Sequence, residues 1–134
     1  MVFFALALAM AASAADAGGQ SATARVVIPA ANPEWVQVNA DDKGKAFVDR
    51  HSISVTNGVV RYQGRVVFDH ADENGAVEIF HAQEINCAAR TFRTMAFDVL
   101  AADGTIVASL STPGDPVKAN TDSPSGAILK EFCR

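Results

Sequence analysis

Basic residues are scarce and scattered: 11 lysines and arginines in 134 positions, against 15 aspartates and glutamates, for a formal net charge of −4. Phosphate contacts need clustered Lys and Arg, so this balance argues against nucleic acid as a partner. It argues equally against a polybasic grip on an anionic membrane. Charged residues make up 19% of the chain, below the roughly one quarter usual in soluble domains. There are only two cysteines, Cys87 and Cys133, and no C-x-x-C, which leaves half a zinc site at best and no redox pair. No apolar run is long enough to span a bilayer, so no transmembrane segment is expected. A G-x-S-x-G elbow, an S-x-x-K pair and a glycine-rich phosphate loop are all missing.

What is present begins with an export pattern. Met1 to Met10 is an uncharged apolar run of signal-peptide length, and Ala12-Ser13-Ala14 supplies the small residues of a cleavage site. No lysine or arginine precedes the run, and a buried N-terminal helix is the rival reading. The expected division is a signal peptide over 1–14, a flexible mature N-terminus over 15–33 and one β domain over 34–134. Export places the chain in the periplasm or at the cell surface, both oxidising. Two cysteines allow one pairing, so a Cys87–Cys133 disulfide is expected, and it would close a loop of about 47 residues.

From Trp35 onward the pattern has the period-two alternation of strands broken by turn signals. Ser52 to Val55 alternates, and Asn57-Gly58 follows as a hairpin signal. On the return strand, Val60, Tyr62, Val66 and Phe68 share one face, with Arg61, Gln63 and Arg65 on the other. Val77, Ile79, Ile85 and Cys87 share the core parity of the next strand, and His81 falls among them. The parity drifts from Phe92 through Met95 to Phe97 and Val99, as a bulge would make it do. Residues 111–122 read as a loop. Ser123-Pro124 then reads as a helix start, with Ile128, Leu129, Phe132 and Cys133 forming a one-sided stripe that Gly126 weakens. The fold class is therefore mainly β (α+β): an antiparallel sheet of about six strands with a short C-terminal α-helix tied by the disulfide.

Candidate chemistry is thin. His70 lies among Asp69, Asp72 and Glu73, which are metal-ligand types without a ligand spacing, so a solvated loop is the better reading. His51 follows Asp49-Arg50 and suits a local ion pair. Glu78 and Glu84 add carboxylates that could form an acid pair only at a suitable separation. Ser109, Ser111, Ser123 and Ser125 fit turns and caps. Trp35 and Tyr62 read as packing residues, and Arg61, Arg65, Arg90 and Arg93 as a solvated face or a basic patch. No catalytic, cofactor-binding or metal residues are assigned, and no enzyme activity is expected.

The order of short motifs carries a resemblance. Trp35-Val36-x-Val38 is followed by Phe47-Val48-Asp49-Arg50-x-Ser52-Ile53, then Asn57-Gly58-Val59-Val60. Cys87-x-x-Arg90-x-Phe92-Arg93 and a final Phe132-Cys133 complete the series. Over residues 35–134 the chain resembles the surface-adhesin protein E family of proteobacterial envelope proteins. The resemblance implies non-enzymatic binding of a protein partner, with adhesion to host matrix or serum proteins as the expected role, and it allows a homodimer. It transfers no ligand-binding residues, and no lipoprotein cysteine stands at the cleavage site. The alternative is a periplasmic inhibitor-type or chaperone-like module, resembling a lysozyme inhibitor, that works through the loops at 69–75 or 111–122.

Overall fold

The computed structural model describes residues 25–133. The signal peptide expected over 1–14, and the part of the arm before residue 25, lie outside the described residues. The described chain forms eight strands and one α-helix: β1 (Trp35–Ala40), β2 (Gly44–Asp49), β3 (Ser54–Thr56), β4 (Val59–Phe68), β5 (Ala76–Asn86), β6 (Thr91–Ala101), β7 (Ile106–Leu110), β8 (Val117–Lys118) and α1 (Pro124–Phe132). All strands join one antiparallel sheet in the order β1-β2-β4-β5-β6-β7; β3 extends the β4 edge and β8 the β6 edge.

Local chemistry sets these elements. Asn57 and Gly58 both hold positive φ (52° and 76°) and close the β3–β4 hairpin. Asp49 caps a single 3-10 turn, Arg50–Ser52, by accepting the His51 amide. The strand read over 52–55 therefore begins only at Ser54. The bulge expected in β6 is present: Thr94 pairs with Gln83 and Ala96 with Ala82, so Met95 is the extra residue. One element lies inside the segment read as loop, where Val117 and Lys118 pair with Phe92 and Thr91. That short piece is one of the eight strands formed, against the about six expected.

Alternate residues of the strands pack on one face into two clusters. The first joins Ala46, Val66, Ile79, Phe97, Val99 and Ala108 across five strands. The second joins Val48, Val60, Tyr62 and Ile85 to Ile128 and Leu129 of α1. The helix starts as the sequence suggests: the Ser123 hydroxyl accepts the Gly126 amide at 3.1 Å and Pro124 opens the first turn. It is tied down by the Cys87–Cys133 disulfide, which spans 46 positions. Gly126 has a role that helix propensity hides. A Cβ there would lie 2.1 Å from the Asn120 carbonyl oxygen, so glycine lets the helix lie directly on the preceding loop.

Candidate functional site

Strand register builds the site on the face away from the helix. Phe47 of β2 stands opposite Arg65 of β4, Arg65 opposite Phe80 of β5, and Phe80 opposite Asp98 of β6. Side chains directly opposite one another in a sheet are within reach, so these four form a single row. The Arg65 guanidinium lies 5.6 Å from the ring centres of both Phe47 and Phe80, and 5.4 Å from that of Trp35. Trp35 meets Phe80 edge-on at 6.0 Å. Arg65 also pairs with Glu78 at 2.7 Å. Its charge is thus balanced by one carboxylate and shared among three aromatic faces, an arrangement that favours arginine over lysine. All four residues of the Trp35–Phe47–Arg65–Phe80 group are only partly buried.

A second row lies nearer the Asn57-Gly58 hairpin. Arg61, Glu84 and Arg93 stand side by side on β4, β5 and β6, and Glu84 bridges both arginines at 2.9 and 3.1 Å. The basic patch allowed by the sequence is therefore interleaved with glutamates across the strands. Arg90 is apart from it, in the β5–β6 turn with φ of 57°.

The segment before β1 lies across this same face. Asp98 accepts the Val26 and Val27 amides at 3.0 and 2.8 Å, and Arg25 stacks 4.4 Å above the Phe80 ring. Gln63 Nε2 donates to the Ile28 carbonyl at 3.1 Å, and Asp49 accepts the Glu34 amide at 2.8 Å. Both Asp98 and Asp49 are 0% exposed. Two buried carboxylates thus hold main-chain amides, which supply donors to both oxygens of Asp98 and to Oδ1 of Asp49, while Asp49 Oδ2 has no hydrogen-bond partner among the described residues.

On the helix side, polar groups meet inside the core. The Tyr62 hydroxyl donates to Gln83 Oε1, Ser125 Oγ donates to the same oxygen at 3.3 Å, and Gln83 Nε2 donates to Thr94 Oγ1 at 3.3 Å. Burial pushes the Tyr62 pKa above its ordinary value, while the hydrogen bond to Ser125 opposes that rise. The His81 ring sits edge-on to Tyr62 at 6.5 Å, and burial lowers its pKa to about 4, so it is neutral at pH 7.

The other residues singled out from sequence fall into plain roles. His51 pairs with Glu34 at 3.2 Å. Asp72 closes its loop by accepting the amides of Asn74 and Ala76, and Ser123 is the helix cap. His70, Asp69 and Glu73 are exposed, and no group of three or more metal-ligating side chains is gathered among the described residues. Sequence reading missed Phe47, Phe80 and Asp98. The available signal was two phenylalanines at positions whose parity is otherwise occupied by Arg65, Glu78 and Glu84.

Together these features define a small, disulfide-tied, mainly β domain with an aromatic–arginine face. The family model described as Surface-adhesin protein E matches residues 35–134. Two solved structures of Haemophilus influenzae protein E are similar in fold. One has a TM-score of 0.55 at 15% identity, covering 82% of this chain and 96% of that one. The other, the selenomethionine form, has a TM-score of 0.55 at 15% identity, covering 80% and 92%. A comparison with curated proteins gives no match. The chain belongs to the surface-adhesin protein E family, a family of cell-surface adhesins.

Proposed function

We propose that this chain is an exported, non-enzymatic binding protein of the bacterial envelope whose partly exposed outer sheet face engages an extracellular protein. The observation that carries the reading is the stacking of Arg65 against Trp35, Phe47 and Phe80. Tryptophan, tyrosine and arginine dominate the binding energy of protein interfaces, and a guanidinium already held between rings loses little freedom on docking. The alternating Arg61–Glu84–Arg93 row beside it offers charges of both signs for orientation. Family membership supports adhesion, with host matrix or serum proteins as the partners to try first. A binding rather than catalytic role is supported by the positions of His81 and Ser125, which are 4% and 1% exposed in the interior.

Protease shaving of intact cells tests the location. Release of this chain's peptides while a periplasmic control stays protected is the expected result. Full protection would overturn adhesion and favour the periplasmic inhibitor-type alternative. Trp35→Ala tests the face: it is expected to cut binding to the captured partner at least tenfold while the melting curve changes little. Undiminished binding would remove this face from the interface.

A further inference from the structure

The segment that crosses the outer face is bound in the manner of a ligand. It makes no ladder with any strand; it is gripped instead by side chains that reach up from the sheet. The Asp98 carboxylate takes two successive main-chain amides, those of Val26 and Val27, and Arg25 Nε stands 3.7 Å from it. Gln63 binds the main chain again at the Ile28 carbonyl, two strands away. Two side chains are read as well: the Arg25 guanidinium lies over the Phe80 ring, and Val27 is 3% exposed. Val26 and Ile28, between and beyond these points, are 39% and 66% exposed. The chain bends at Val26 and Val27, which turns both amides toward one carboxylate, so that the side chains of Arg25 and Val27 are held while those of Val26 and Ile28 are left exposed.

A carboxylate buried completely in an outer sheet face is costly unless donors meet it. Here the donors come from a segment about 70 residues distant in sequence, joined to the sheet by side chains rather than by a strand ladder. We propose that the track from Asp98 to Gln63 is a peptide-binding site, filled in cis by Arg25–Ile28. In trans it would take a segment of a partner protein that bends in the same way and has the same chemistry, an arginine followed by two β-branched residues. The proposal rests on the binding role assigned to this face and specifies the partner's contact segment. The cis segment acts as a tethered competitor, with an effective concentration of about millimolar. Occupation in trans therefore shows most clearly once the cis segment is unseated.

The test uses the full chain and a fluorescent peptide, acetyl-Arg-Val-Val-Ile-Pro-Ala-amide, which copies residues 25–30. Val27→Pro removes one amide donor and the buried valine from the cis segment. The peptide is expected to bind Val27→Pro at least tenfold tighter than the unsubstituted chain. Methylating the backbone nitrogen at the second valine of the peptide, which deletes the donor to Asp98 without altering the protein, is expected to weaken binding at least tenfold. Equal binding to both proteins, or indifference to the methyl group, overturns the proposal. A doubled mass for Val27→Pro mixed with the unsubstituted chain would assign the track to a second copy and overturn the partner-peptide reading. If Val27→Pro does not fold, Arg25→Glu replaces it with the same expectations. Trp35-dependent adhesion that persists without peptide binding would refute the track alone. The converse would refute the adhesive role alone.

Discussion

Gly64 and His81 face each other across β4 and β5 with no room for a methyl group between them. A Cβ at position 64 would lie 2.5 Å from His81 Cε1 and 2.9 Å from the Phe47 carbonyl oxygen. Gly64→Ala must move a buried ring or the neighbouring strand, and overpacking of this kind costs about 1–3 kcal/mol. Chemical denaturation should show that loss. An unchanged midpoint would mean that His81 has another place to go.

His81 makes stability depend on pH. Its folded pKa, about 4, lies below the ordinary histidine value of 6.5, because burial disfavours the charged ring. The unfolded chain then binds more protons than the folded one between those limits. Stability is full above pH 6.5, falls as pH drops, and has lost about 3 kcal/mol from this group once pH is below about 4. Unfolding measured from pH 7 to 4 should be steeper for the unsubstituted chain than for His81→Gln. Parallel curves would remove the histidine as the cause.

Replacing both cysteines by serine should lower stability by about 4 kcal/mol, the chain entropy released when the loop between Cys87 and Cys133 is no longer closed. Hydrogen exchange is the sharper readout. Protection should fall most over Pro124–Phe132, while β4 and β5 keep theirs. Uniform loss across the sheet would show that the bond secures the whole domain rather than the helix.

Gly126→Ala separates propensity from packing. Alanine favours an isolated helix by about 1 kcal/mol. In the folded chain its methyl would meet Asn120 O at 2.1 Å and Thr121 Cα at 2.8 Å, both main-chain atoms without a flexible escape. The expected sign is destabilisation, and a raised melting temperature would contradict the helix–loop contact.

Much of the fold is legible because strands write their own parity. The positions of Val60, Tyr62 and Ile85 could be read directly, and all three are buried. The Asn57-Gly58 turn and the Ser123 cap are local chemistry and were equally plain. The site was harder because it depends on register between strands. Phe47, Arg65 and Phe80 are far apart in sequence, and only the pairing of β2, β4 and β5 places them side by side. Asp98 was invisible for the same reason: its partners at Val26 and Val27 carry no periodic signal, and nothing near position 98 announces a contact 71 residues away.

The period-two alternation also divides the labour of sequence change. A substitution at Phe47, Arg65 or Phe80 alters what the domain presents outward, while Val48, Val66 and Ile79 continue to fill the interior. Neighbouring codons therefore answer to different selective pressures. The outward face can change in single steps, each one leaving the disulfide-tied core intact.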